Sequence, residues 1–343
     1  MKSQSNLLYY VDAFDPVTEA DFSFASEASK KLGMNVAFLP LPDLFLKKGG
    51  ATISQREQML RIAMKGNPAA FVLSPRLELE NRKKEEGSHS LLLKRETYEA
   101  LKESNFFESA SSSFRIYLLD GKEEGATRLH LSQSAVDLKK IRSLACPGIG
   151  SELWGYIEEN RLYYVGYLEK KLASEHRFQH SLSVAHLCYQ IAVSNGFPSP
   201  ERAYVAGIFH DLGKHCPKDE EQSIMREHFP EYASFPSWSY HQFTGEYLAK
   251  EELGIEDEEI LDAIEFHSTG KKSMSPLGKI VYASDKIDPL RGYDSSWMIQ
   301  ECLKDDQKGF LTVLKENRAY LTGKGYKVDN PLTKECFLYY LGE

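Results

Sequence analysis

The chain has 343 residues, 42% hydrophobic and 27% charged, with a formal net charge of −8. At roughly 100 to 200 residues per domain, that length suggests two domains that each bury a core; it excludes a small disulfide scaffold, a fibrous rod or a disordered chain. No apolar run approaches the ~18 to 20 residues of a membrane span, and the opening MKSQSNLLYYVDAF lacks an apolar stretch followed by a small-residue cleavage site, so a cytoplasmic address is expected.

The first 165 residues read as α/β. Asn6 to Val11 is a short apolar and aromatic run of buried-strand type, Phe22 to Leu32 has helical periodicity, and Val36 to Leu41 is a second strand bounded by prolines. A helix over Ser54–Met64 precedes a strand at Ala70–Leu73, and another strand covers Phe114–Leu119. Strands alternating with helices predict a mostly parallel, Rossmann-like sheet covered on both faces. The charge-rich segment 76–90 reads as a solvated surface loop. From about residue 152 strand signals fade and long helical patterns take over, so residues 166–343 are expected to form an all-helical domain.

Charge and histidine are unevenly distributed. Residues 1–165 hold 22 basic and 22 acidic side chains, which leaves 20 against 28 for the rest, and eight of the ten histidines follow residue 175. The acidic excess discourages a nucleic-acid surface and suits a domain that gathers carboxylates around cations. The five cysteines are odd in number, widely spaced and form no CxxC pair, which argues against disulfides or a thiolate metal site.

The most informative word is Ala206-Gly-Ile-Phe-His-Asp-Leu-Gly-Lys214, where an apolar helix delivers His210 and Asp211 side by side. Imidazole and carboxylate can both address a cation, and a carboxylate can bridge two. Alone, such a pair is more often a satisfied core hydrogen bond. Here it has company: His180 shares a helical face with Val184, Leu187 and Ile191, His241 opens an amphipathic helix, His267 closes another, and Asp285 follows the apolar run Ile280–Ser284. His176 and His180 have the spacing of a zincin pair but lack its glutamate.

These words, together with Arg177-Phe-Gln-His-Ser-Leu-Ser-Val-Ala185, His267-Ser-Thr-Gly270, Met274-Ser-Pro-Leu-Gly-Lys-Ile280 and Ala283-Ser-Asp-Lys-Ile-Asp-Pro-Leu-Arg291, run in order over about residues 174–295. The constellation resembles the HD-domain metal-dependent phosphohydrolases, and in particular the YqeK-type symmetrical diadenosine tetraphosphate hydrolases. The resemblance implies one metal on His180, His210, Asp211 and Asp285, and a second on His241 and His267 with Asp211 bridging. Imidazoles and carboxylates without thiolate favour iron, manganese or zinc over magnesium or calcium, and the resemblance tilts the choice to iron. Lys214 and Arg291 are expected to meet substrate phosphate oxygens, and Thr269 with Gly270 to form either a phosphate-contacting turn or a plain helix stop.

The first domain carries a second resemblance. Tyr9-Tyr-Val-Asp-Ala-Phe-Asp-Pro-Val-Thr-Glu-Ala-Asp21 is similar to the opening of the nicotinate-nucleotide adenylyltransferases, a strand with paired glycines, Phe-Asp-Pro and His-x-Gly-His. Phe14-Asp15-Pro16 is kept. Val11-Asp12 stand at the glycine positions, Thr18 and Asp21 at the two histidines, and Asp137 where a phosphate-binding arginine belongs. Loss of close backbone approach and of cationic donors implies a retained fold with catalysis gone. The implied substrate is a small nucleotide, with neither nucleic acid nor membrane as partner and homo-oligomerisation left open. Alternatives are a phosphohydrolase for a mononucleotide, dNTP or cyclic dinucleotide, and an adenylate-sensing regulator or active adenylyltransferase.

Overall fold

The structure is a computed structural model that describes residues 7–43, 50–65, 70–72, 89–104, 114–119, 123, 125–131, 137–145, 148–326 and 328–342. The chain divides into two compact units, Met1–Arg142 with Gly148–Tyr163, and Ser143–Pro147 with Tyr164–Glu343. No helix among the described residues is long and apolar enough to cross a membrane.

The first unit is built on six strands: β1 (Leu7–Asp12), β2 (Asn35–Pro40), β3 (Ala70–Val72), β4 (His89–Leu93), β5 (Phe114–Leu118) and β6 (Ala126–Arg128). They lie in the order β3-β2-β1-β4-β5-β6 with every neighbouring pair parallel. Its described α-helices are α1 (Glu19–Leu32), α2 (Ile53–Ala63), α3 (Arg95–Glu103), α4 (Leu138–Arg142) and α5 (Trp154–Glu159). The central strands read as continuous apolar runs because parallel strands are covered on both faces, and Tyr9, Val11, Leu91 and Leu93 share one core with Leu39 and Leu118. The expected surface loop at 76–90 requires a correction. Residues 73–88 lie outside the described residues, but His89 and Ser90 begin β4, with the His89 ring against Tyr9 and Phe114 at centroid distances of 6.2 and 6.0 Å.

Strand order reverses between β1 and β4, the place where doubly wound sheets bind ligands. Here it is filled by the protein's own charges. Asp12 ends β1, Lys94 follows β4, and the Lys94 amine bridges Asp12 at 2.6 Å and Asp21 at 2.8 Å. Thr97 donates to Asp12 at 2.7 Å, and Tyr10 to Asp21 at 2.8 Å. Burial opposes the charge of Lys94, but the two carboxylates override it and raise its pKa. Thr18 and Asp21 also form the capping box of α1: the Thr18 hydroxyl accepts from the Asp21 amide, and the Asp21 carboxylate from the Thr18 amide at 2.9 Å. Asp15 is equally committed, accepting from the Ala51 amide at 2.9 Å, Arg142 at 2.6 Å and the Tyr163 hydroxyl at 2.5 Å.

The second unit contains only helices among its described residues: α6 (Tyr164–Leu172), α7 (Glu175–Ser194), α8 (Pro200–Phe209), α9 (Lys218–His228), α10 (Tyr240–Glu251), α11 (Glu258–Glu265), α12 (Pro276–Ile287), α13 (Ser296–Lys304), α14 (Asp306–Gly323) and α15 (Pro331–Leu341), with short 3-10 turns between some of them. Starts follow ordinary capping chemistry: Ser174 accepts from the Arg177 amide, Ser275 from Gly278, and Asp257 from Glu259 and Ile260. Two glycines set how closely the helices approach. A Cβ on Gly207 would sit 2.9 Å from the Ala185 Cα, so α8 lies directly on α7. A Cβ on Gly213 would sit 2.3 Å from the His241 carbonyl oxygen and 2.6 Å from the Gly245 nitrogen, so the 3-10 turn Leu212–His215 is pressed on the backbone of α10.

Replacing Lys94 with alanine strips the cation from two buried carboxylates and is expected to destabilise the first unit by about 3 kcal/mol. Denaturant unfolding followed by hydrogen exchange on β1 and β4 measures this, and the double variant Lys94→Ala/Asp12→Ala should recover part of the loss.

Candidate metal centre

Six buried side chains converge in the second unit: His180 from α7, His210 and Asp211 just past the end of α8, His241 from the first turn of α10, His267 just past α11, and Asp285 from the inner face of α12. They range from 0% exposed at His210 to 7% at His180. Two groups are close enough to hold an ion, His180 with His210 and Asp285, and His210 with Asp211 and His267.

The orientation of the rings follows from what each Nδ1 meets. His210 Nδ1 lies 2.7 Å from the Gly207 carbonyl, His241 Nδ1 2.9 Å from that of Trp238, and His267 Nδ1 2.7 Å from that of Ile264. A carbonyl only accepts, so each of these Nδ1 atoms carries the proton and, in the neutral ring, each Nε2 presents a lone pair. His180 does the same through a carboxylate, with Nδ1 at 2.6 Å from Asp288, itself held by the Ser183 hydroxyl at 2.5 Å.

The Nε2 atoms then face acceptors. His180 and His210 bring theirs within 3.3 Å of each other, and the same His180 atom is 3.2 Å from Asp285 Oδ1. Asp211 turns Oδ2 toward His210 Nε2 at 3.9 Å and Oδ1 toward His241 and His267 at 3.6 and 3.5 Å. Lone pairs and carboxylate oxygens gathered without enough protons between them are the donor set of a divalent cation, so these residues fit the metals that the sequence implies.

Each central carboxylate has two cationic neighbours. Arg177 is 3.4 Å and Lys214 3.7 Å from Asp211; Lys286 is 2.8 Å from Asp285, and Arg291 pairs with Asp285 through its guanidinium. Burial works against both carboxylates. The charges around them nonetheless hold each well below the usual range, His210, His267 and Lys214 acting on Asp211 and Lys286 and Arg291 on Asp285. Burial also opposes charge on His180, but its bonds to Asp285 and Asp288 lift it to about 9. Burial, reinforced by Lys214, pushes His241 down. The Lys214 amine, lowered by its own burial, is 3.0 Å from His241 Nε2.

Of the expected substrate contacts, Lys214 and Arg291 therefore border the cluster. Thr269 and Gly270 face elsewhere. The Thr269 hydroxyl is buried and bonded to Gln242 Nε2 at 3.1 Å, its amide donates to Gln242 Oε1 at 3.1 Å, and Gly270 takes φ +66° with no room for a Cβ beside Cys336. Their surroundings are those of a helix-ending turn. The sequence reading gave no role to Asp288, Arg177 or Lys286. For Asp288 the available signal was its place three residues after Asp285 at the end of the same helix.

Asp288→Ala should free the His180 ring and weaken divalent-metal binding about 10- to 100-fold, read by titration with manganese. Gly213→Ala should lower metal affinity too, because the added methyl meets the His241 carbonyl and Gly245 nitrogen of the α10 backbone as well as the Thr244 hydroxyl, and pushing off them moves Asp211 away from His241.

Residues 177–290 match the HD domain family. The chain is 33% identical over 168 residues to a probable nicotinate-nucleotide adenylyltransferase/Ap4A hydrolase of Mycoplasma genitalium, a match that takes in 47% of this chain and about half, 47%, of that relative. It is 32% identical over 174 residues to a symmetrical bis(5'-nucleosyl)-tetraphosphatase of Bacillus subtilis, covering 50% of this chain and 91% of the relative. A protein with the same description from Halalkalibacterium halodurans is 35% identical over 146 residues, covering 42% of this chain and 78% of the relative. Among solved structures, a predicted HD superfamily hydrolase involved in NAD metabolism from Clostridium acetobutylicum is similar at 29% identity with a TM-score of 0.44, over 52% of this chain and 94% of that one. Through its helical unit, the chain belongs to the HD-domain hydrolase family, in the branch that includes the symmetrical bis(5'-nucleosyl)-tetraphosphatases.

Proposed function

We propose that the helical unit hydrolyses a dinucleoside polyphosphate, diadenosine tetraphosphate, into two ADP. The observation that carries this reading is the convergence of four imidazoles, each held at Nδ1 with Nε2 turned inward, and two carboxylates in one buried cluster. The names of relatives at 32% and 35% identity support the substrate. In this reading His180, His210, Asp211 and Asp285 hold one divalent cation and Asp211, His241 and His267 a second, iron being preferred over manganese or zinc. Two such cations, when bound, favour ionisation of a water and offset charge on the attacked phosphoryl group.

The remaining work falls to the chain's own side chains. Asp288 and the carbonyls of Gly207, Trp238 and Ile264 keep the four imidazoles turned with Nε2 inward. Arg291 and Lys214 contact the polyphosphate, where charge-assisted N–H donors gain strength as negative charge builds on the transferring group. The water oxygen joins one of the two central phosphorus atoms, and the bond from that phosphorus to the central bridging oxygen breaks. The bridging oxygen leaves as part of the second ADP, and the protons of water pass to product oxygens or solvent.

The first unit, in the same reading, keeps an adenylyltransferase-like fold without the activity. The amine of Lys94 between Asp12 and Asp21 supports this, since it spends on internal pairing the charge that a nucleotide's phosphates would need. ATP with nicotinate mononucleotide should accordingly give no dinucleotide by chromatography; nicotinate adenine dinucleotide forming at an enzyme-like rate would overturn this part.

For the hydrolase, plasma emission should find close to two metal ions per chain, and chromatography of a diadenosine tetraphosphate digest should find ADP alone. Asp211→Ala should lower turnover by several orders of magnitude and Lys214→Ala by about 10²-fold. Products of AMP and ATP would move the reacting phosphorus. Brisk hydrolysis of a mononucleotide or cyclic dinucleotide, with diadenosine tetraphosphate untouched, would change the substrate.

A further inference from the structure

A cavity of about 540 Å³ lies beside the cluster, lined by Trp238 just before α10, Lys286 of α12, Asn317 of α14, Tyr326 beyond it, Asp329, and Thr333 of α15. That volume is in the range of small-molecule sites. Two of its walls belong to the centre already described. Lys286 donates to Asp285 at 2.8 Å and to the His267 carbonyl at 3.4 Å, and the Trp238 carbonyl is what His241 Nδ1 bonds at 2.9 Å. An occupant touching these two residues is therefore next to the metal-holding side chains.

The lining has the chemistry of a nucleoside site. Trp238 and Tyr326 are large aromatics left 51% and 58% exposed, which offers flat apolar faces for a base. Thr333 is 6% exposed, and its hydroxyl has no hydrogen-bond partner. A buried hydroxyl left unpaired is costly, and a ligand that bonds it removes the cost. Asn317 donates to the Tyr282 hydroxyl at 2.9 Å, which fixes the plane of its amide. Lys286 supplies a cation at the end that meets the cluster.

We infer that this cavity takes one nucleoside end of the substrate, with Trp238 and Tyr326 stacking on the purine, Thr333 hydrogen-bonding it and Lys286 meeting the first phosphates. The inference rests on the reading that the centre acts on nucleotides, and it names the residues that sense the base. It makes base recognition separable from phosphate recognition: phosphate affinity comes from the cluster and its cations, base affinity from the cavity.

Isothermal titration of the manganese-loaded protein with ADP and with inorganic pyrophosphate tests this. Trp238→Ala should weaken ADP roughly ten- to hundredfold and leave pyrophosphate within about twofold, while Trp238→Phe restores most of the ADP affinity. Thr333→Val, which keeps the shape and removes the hydroxyl, should weaken ADP about tenfold with the same sparing of pyrophosphate. Trp238 is half-exposed and Thr333→Val keeps the shape of its side chain, so the substitutions leave the core intact. Equal ADP affinity in Trp238→Ala and the parent protein, or an equal loss for ADP and pyrophosphate, overturns the inference. Failure of the hydrolase reading has a different signature, no ADP released from diadenosine tetraphosphate by the parent protein, and leaves the comparison of the two ligands readable.

Discussion

An imidazole has two nitrogens, and committing one decides what the other can do. Three of the four converging histidines donate Nδ1 to the carbonyl three residues earlier, and the fourth donates to a carboxylate, so all four Nε2 atoms are turned into one cluster. The three carbonyls belong to turns or helix ends, where the regular ladder leaves such oxygens free. Helix termination and ring orientation are thus linked: where α8 and α11 stop, the carbonyl three residues before the histidine takes up its ring Nδ1–H.

The packing of the unit serves the same end. Gly213 lets the turn after Asp211 rest on the α10 backbone, which brings Asp211 Oδ1 to 3.6 Å from His241, and Gly207 lets α8 lie on α7, which brings His210 to 3.3 Å from His180. Burial on this scale disfavours charge, and His210, His267 and Lys214 around Asp211, with Lys286 and Arg291 around Asp285, keep both carboxylates ionised. Desolvation loses to pairing at these two residues. At His241 the Asp211 oxygen 3.6 Å away does not offset burial and the neighbouring Lys214, and desolvation wins.

The centre was more legible in the sequence than its supports were. His180, His210, Asp211, His241, His267 and Asp285 stand at helix ends and on apolar faces, and local periodicity reveals such positions because it fixes which side chains turn inward. Asp288, Arg177 and Lys286 act on residues brought near by tertiary contacts, as when Asp288 meets His180 across 108 positions, and no local pattern marks such partners. In the sheet, β1, β2 and β5 stood out as bounded apolar runs, whereas β4 begins with a histidine and a serine after a charged stretch and β6 is the short edge segment Ala126–Arg128. Thr18 and Asp21 stood out as departures from the pattern that their segment resembles. Their second use, capping α1 and pairing with Lys94, depends on where the chain folds back.

The ion triad of Lys94, Asp12 and Asp21 gives the first unit a direction of change. Each member satisfies the others, so a single step to glycine at 12 or to histidine at 21 would leave a buried lysine short of a partner, and a step that removed the lysine would leave two carboxylates facing each other. Opening the switch of strand order to a ligand would therefore need coordinated replacements, with every one-residue intermediate carrying an unpaired buried charge. A cleft closed by mutual charge compensation is thus latched in both directions: one substitution at a time can neither build nor open it without passing through an unpaired buried charge.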